Sequence, residues 1–194
     1  MAHRDREIEI KLAVENAGAA RRLLRRAGFR VYRRRRFEAN TVFDTPRGEM
    51  RASRRLLRVR EAGGEVKLTY KGPPEPGPHK SREELETAIA GARAFTAILE
   101  RLGYRPMFRY EKYRSEYQRP GSSGVATVDE TPIGAYMELE GNARWIDRTA
   151  RQLGFAPAHY ITASYGSLYF EWCRARGIEP GDMVFKSRSR KSGE

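Results

Sequence analysis

The sequence predicts an α+β domain built on an antiparallel, eight-stranded, closed or nearly closed β-barrel with helices packed outside. Three observations lead there. Charged and apolar residues alternate at spacing two in six separate stretches, the period of a strand whose two faces meet different surroundings. Those stretches are divided by turn-forming Gly and Pro and by segments with helical spacing. The charges also keep to one face in nearly every stretch. A solvated face of an open sheet explains any one of these strands. Its recurrence in six favours a barrel whose lumen holds the charges. A small barrel fills its lumen with side chains, and buried charges need partners.

The first strand, Glu7 to Val14, sets the pattern: Glu7, Glu9 and Lys11 point one way and Ile8, Ile10 and Leu12 the other. Asn16 can cap a helix running through Ala27, with Gly28 as its stop. Leu23, Leu24 and Ala27 form its buried stripe. Phe29 to Phe43 reads as one or two extended strands, closed by the turn Asp44-Thr45-Pro46-Arg47-Gly48. Leu56 to Glu61 and Val66 to Lys71 form a hairpin around Ala62-Gly63-Gly64-Glu65. Residues 72–78 contain four prolines and form a loop. Arg82 to Ile89 is the next strand, followed by a helix from Ala92 to Leu102. Pro106 to Gln118, Gly124 to Thr131 and Ala135 to Gly141 complete the strands. Ser164 can cap a last helix reaching Arg176. The helix ends at Gly28-Phe29, Gly103-Tyr104 and Gly154-Phe155 repeat one another. The first two follow a charge-alternating strand and lead into another, which suggests two similar halves closing one barrel. Residues 1–185 are expected to form one domain and residues 186–194 a basic, disordered tail.

The chain has 194 residues, 39% apolar, enough for a sizeable core. No apolar run approaches the ~20 residues of a membrane span. The first residues lack the apolar stretch of a secretory leader, and the single Cys173 excludes an internal disulfide. A soluble cytoplasmic protein is expected. The formal net charge of +13 calls for an anionic partner, either nucleic acid or a compact phosphate substrate. Nine arginines lie between Arg21 and Arg36. Those on the helix belong to its solvated face. Alternation sends two of Arg33-Arg34-Arg35-Arg36 to each strand face, and a basic edge strand that resists aggregation is the simplest account of that run. It allows non-specific contact with nucleic acid.

The motifs stand in a specific order: Glu7-x-Glu9-x-Lys11, Asp44-Thr45-Pro46, Leu57-Arg58-Val59-Arg60, Leu68-Thr69-Tyr70-Lys71-Gly72-Pro73, Arg82-x-Glu84-x-Glu86, Glu111-Lys112-x-Arg114, Asp129, Glu138-x-Glu140 and Ser164-Tyr165. Each alone is weak. As an ordered set over residues 5 to 172 they resemble the CYTH superfamily, the triphosphate tunnel metalloenzymes. That family includes class IV adenylyl cyclases, thiamine triphosphatases and inorganic triphosphatases. The resemblance implies that Glu7, Glu9 and Glu140, with Glu138 beside them, hold Mg²⁺ or Mn²⁺. Hard oxygen ligands suit both ions. Lys11, Arg58, Arg60, Lys67, Lys71, Arg82, Lys112 and Arg114 would grip the triphosphate, Arg as forks and Lys as point charges. Asp129 is a possible ligand or water-orienting group, and Lys67, with a lowered pKa, a possible proton shuttle. Glu84, Glu86 and Tyr165 have open roles, salt bridges being as good a reading for the two glutamates.

Similar sequences often carry Lys or Arg before the Ser-Tyr of the last helix. Here the residue is Ala163, and Arg174, Arg176 or the tail would have to substitute. The three histidines have no Zn spacing, and no nucleotide P-loop is present. The implied function is divalent-metal-dependent hydrolysis of a triphosphate. ATP cyclisation to cyclic AMP and pyrophosphate is the alternative enzyme, and a non-catalytic polyanion or nucleic-acid binder the alternative from another class.

Overall fold

The computed structural model describes residues 6–186. Its eight strands are β1 (Arg6–Val14), β2 (Arg30–Asp44), β3 (Leu56–Ala62), β4 (Glu65–Lys71), β5 (Lys80–Ala88), β6 (Arg105–Gln118), β7 (Val125–Thr131) and β8 (Gly134–Glu140). They close into a barrel in the order β1-β5-β4-β3-β2-β6-β7-β8. Every neighbouring pair is antiparallel, including the closing pair of β1 and β8. Five helices decorate it: α1 (Ala17–Arg26), α2 (Glu49–Ala52), α3 (Ala92–Arg101), α4 (Ala143–Gln152) and α5 (Tyr165–Arg174).

The two halves suggested by the helix ends exist. Exchanging β1 with β5, β2 with β6, β3 with β7 and β4 with β8 returns the same ring of neighbours, with α1 and α3 in matching places. The helix exits share one geometry. Phe29, Tyr104 and Phe155 donate their amides to Leu24, Leu99 and Ala150, six-residue closures through a glycine at φ 82°, 91° and 88°. Only glycine adopts that φ without strain. Asn16 caps α1 as expected, accepting the Ala19 amide at 2.8 Å.

The apolar strand faces lie outward, under the helices. Ile10, Leu12, Val128, Met137 and Leu139 form one core with Leu24 of α1 and Ile146 of α4. Phe43 and Val59 form a second with Leu99 of α3. Tyr110, Tyr165 and Met183 form a third beside α5. The chain after α4 patches two gaps in the wall: Ile161 pairs with Lys11, and Met183 with Tyr110.

Some boundaries differ from the sequence reading. The turn at Asp44 leads into α2, because the Asp44 carboxylate accepts the amides of Thr45, Met50 and Arg51 at 2.7–2.9 Å. The last helix ends at Arg174. β5 begins at Lys80, two residues early, since Lys80 and Ser81 pair with Glu9 and Ile8. Residues 187–194 of the expected tail lie outside the described residues. No helix among the described residues is long and apolar enough to cross a membrane.

Candidate active site

The lumen holds a cavity of about 410 Å³ lined by twelve basic and seven acidic side chains. It gathers Glu7, Glu9 and Lys11 from β1, Arg58 and Arg60 from β3, and Lys67 and Lys71 from β4. Arg82, Glu84 and Glu86 come from β5, Lys112 and Arg114 from β6, and Glu138 and Glu140 from β8. Tyr165 enters from α5. Strand alternation delivers the charged ones, each on the strand face opposite the residues that pack outward under the helices.

The charges are interlocked. Lys71 holds both oxygens of Glu7 at 2.6 Å and reaches Glu84 at 3.1 Å. Arg82 meets Glu7 at 3.4 Å. Lys11 bridges Glu9 and Glu138 at 3.1 and 3.3 Å. Arg58 donates to the Tyr110 hydroxyl and to Thr69, both at 3.1 Å. Glu86 collects Arg60 at 2.9 Å and Lys67 at 2.7 Å. Burial alone would raise the Glu9 carboxyl, but Lys11 and Lys80 outweigh it and hold Glu9 well below the usual range. Burial opposes ionisation of Glu86 too, and Arg60 and Lys67 bring it to about 2.

Asp129 stands deeper. It shares the lumen face with Thr127 and its cross-strand partner Arg114, but it is fully buried beneath the cations and does not itself line the cavity. It accepts Lys112 at 2.9 Å, Arg114 at 2.7 Å and the Tyr165 hydroxyl at 2.6 Å. Despite burial, Arg114 and Lys112 hold its carboxyl at about 2. Its carboxylate thus bonds two cations and one tyrosine. Tyr165 plugs the cavity there, with Lys11 and Lys112 at 5.2 and 5.0 Å from its ring centre. Lys67 is one-third exposed, nearer the mouth than Lys11 or Lys112, both at 3%. From the last helix only Ser164 and Tyr165 reach the cavity. Arg176 instead stacks on Trp172, and Arg174 is exposed, so neither replaces a cation at Ala163.

Sequence reasoning missed several lumen residues. Lys80 binds Glu9 at 2.8 Å, and burial, against the pull of Glu9, lowers its pKa to about 8. It follows a Pro-rich loop, and its spacing of two from Arg82 was the available signal. Glu38 is fully buried on β2, 3.7 Å from Lys112. Its spacing of two from Asn40 was the available signal. Arg33 and Arg36 also line the cavity, as does Glu116, whose spacing of two from Arg114 had put it on the charged face.

Divalent-metal chemistry can be tested against the donor set. Glu9 and Glu140 are direct cross-strand partners, an arrangement that costs energy for like charges. Lys71 goes to Glu7 and Glu84 and Lys80 to Glu9, leaving Glu140 without an ion pair among the described residues. Burial first, then Glu7, Glu9 and Glu84, push the Glu140 carboxyl up to about 7. This corner is short of one cation, and its hard oxygens suit a divalent one. Among the described residues no three acids already converge as a ready-made cluster, because the lysines occupy Glu7 and Glu9.

A closed antiparallel barrel with a basic lumen and an acidic corner defines a tunnel for a compact polyanion, as in the triphosphate tunnel enzymes. The CYTH domain model matches residues 5–157, and the chain belongs to the CYTH family, whose members are generally metal-dependent enzymes. A protein of Methanocaldococcus jannaschii, provisionally named an adenylate cyclase, is 27% identical over 135 residues, 69% of this chain and 75% of its own. A solved structure from Pyrococcus horikoshii aligns at 26% identity with a TM-score of 0.71, over 86% of this chain and 99% of that one. A Hippeastrum protein described as having a dominant triphosphatase activity aligns with a TM-score of 0.62 at 18% identity, over 90% of this chain and 97% of that one. At that identity the likeness is one of fold.

Proposed function

We propose that this protein hydrolyses a triphosphate with Mg²⁺ or Mn²⁺. The observation behind this is the division of the lumen: a basic majority along the wall and one acidic corner, Glu7, Glu9 and Glu140, in which Glu140 has no ion pair among the described residues. The excess of five basic side chains suits a triphosphate, which carries about four negative charges near neutrality. Arg58, Arg60, Lys71, Arg82, Lys112 and Arg114 would bind its oxygens, and Asp129 would hold Lys112 and Arg114 in line for them. A bound divalent ion, held by Glu7, Glu9 and Glu140 with Glu138 beside them, would supply charge neutralisation at the transferred phosphorus. Phosphoryl transfer needs positioning and charge stabilisation more than a reactive protein group. Lys80, close to neutral pH in its titration, is better placed than Lys67 to hold or release a proton near Glu9.

Hydrolysis is favoured over cyclisation because little in the cavity could hold a nucleobase. Its apolar lining is Leu56 and Val125, and its two tyrosines are engaged with Arg58 and Asp129. The test is a panel of tripolyphosphate, thiamine triphosphate and ATP with either metal, separating phosphate, pyrophosphate and cyclic AMP. Phosphate release supports the proposal. Cyclic AMP with pyrophosphate would make the protein a cyclase, and no turnover of any substrate would leave a polyanion binder.

A further inference from the structure

A triphosphate gripped at the centre of the lumen leaves two of its arginines without a ligand. Arg33 and Arg36 come from the basic run of β2, and residues three apart on a regular strand face opposite ways. Here they do not. Arg33 opposes Glu116 and Arg36 opposes Arg114, three residues of β2 against two of β6, and the register shifts between them. That bulge turns both arginines into the cavity. Arg35 is sent outward, to Glu130 at 2.9 Å and over the Tyr113 ring at 3.5 Å. A bulge that re-aims a second cation into a lumen already rich in them is a costly arrangement unless an anion lies there.

Three further features point the same way. Arg36 stands directly across from Arg114, and Arg60 across from Lys67, both like-charge pairs. Glu116 takes Arg36 at 2.9 Å and lies 3.7 Å from Arg33. Arg36 Nε is also 3.5 Å from the buried Glu38, too far or poorly aligned to count as a hydrogen bond, and most of the ten N–H donors of the two arginines stay uncommitted. The wall is also open at this point. Pairing of β2 with β3 stops at Glu38 opposite Ala62, and Arg33 is 43% exposed. The row of cations therefore runs from Arg58 and Arg60 out to the mouth.

We propose that Arg33 and Arg36 form a subsite for phosphate groups beyond the third, so that the tunnel accepts linear inorganic polyphosphate longer than tripolyphosphate. The inference rests on the triphosphate reading of the central site. An organic group is disfavoured at this mouth because the arginines offer it neither a cleft nor an apolar face.

Calorimetry with Mg²⁺ at about 150 mM salt, where exposed charges are screened beyond ~8 Å, tests this with tripolyphosphate and a longer linear polyphosphate. The wild type should bind the longer chain about tenfold or more tightly, as charge-assisted contacts allow. A variant with Arg33→Ser and Arg36→Ser should hold tripolyphosphate within about twofold of wild type while losing most of that advantage. What remains is the statistical gain of a chain with many registers. Arg33→Lys with Arg36→Lys, which retains the charge, should restore much of it. If tripolyphosphate itself does not bind, the triphosphate reading fails. If it binds but the longer chain gains nothing in the wild type, or the Ser variant weakens both ligands equally, the subsite does not exist.

Discussion

Replacing Glu140 with Gln should stabilise the metal-free protein at pH 8 and change it far less at pH 5. In the folded state burial and the carboxylates of Glu7, Glu9 and Glu84 hold Glu140 at about 7, against an ordinary 4.5. A carboxyl whose folded pKa is raised binds its proton more tightly when folded. Its stabilising contribution is complete below pH 4.5 and disappears as pH rises through 7. A difference of this size is worth about 3 kcal/mol at pH 8, at about 1.4 kcal/mol per pH unit. The amide removes the repulsion while keeping the shape. For a chain of this size 1 kcal/mol moves Tm by about 2–4 °C. With part of the gain lost to water in the lumen, a rise of about 5 °C is expected in the presence of a chelator. Thermal melts at pH 5 and pH 8 give the answer. Adding Mg²⁺ or Mn²⁺ at pH 8 should raise the wild-type Tm and move the variant far less, since ligand binding stabilises only where the site exists. Equal changes in Tm at both pH values, or an undiminished metal response in the variant, would refute the assignment of an unpaired acidic corner.

Glu9→Gln should abolish turnover while the barrel still folds, because a neutral amide holds Mg²⁺ poorly; near-wild-type rates at saturating metal would remove Glu9 from the metal site. Arg58→Ala should weaken triphosphate binding by roughly tenfold or more, the worth of one charge-assisted contact. Replacing Arg34 and Arg35 together with Ser should barely change it, and calorimetry compares the two directly. Gly124→Ala places a Cβ 2.4 Å from the Trp145 ring, which lies flat against Gly124 and Gly141 beside Glu140. The overpacking should cost about 1–3 kcal/mol, read by thermal melting. Trp145→Ala in the same chain should recover part of the loss, and additive effects would show that the ring is not the obstacle.

Much of this molecule was legible from local pattern. The two-residue alternation around Glu7, Glu9 and Lys11 assigned the lumen face of β1, and the same rule placed Arg58, Arg60, Lys71, Arg82, Lys112, Glu138 and Glu140. Gly28, Gly103 and Gly154 marked three helix exits, because only a glycine there allows the closing hydrogen bond. These are short-range properties, set by period and by φ.

What the tertiary structure decided depends on register between strands distant in sequence. Lys80 became a lumen residue because pairing with Glu9 of β1 extends β5 back to it, which carries the alternation of Arg82, Glu84 and Glu86 two residues further. Asp129 is shut off from the cavity because Arg114, Lys112 and Tyr165 converge over it from β6 and α5. Arg33 and Arg36 share a face only through a bulge against β6. Glu140 owes its raised pKa to burial and to Glu7, Glu9 and Glu84 on neighbouring or next-neighbouring strands. A sequence states which face a side chain takes along its own strand. Which charges then meet across the barrel is fixed by closure, shear and bulges, and those are properties of all eight strands together.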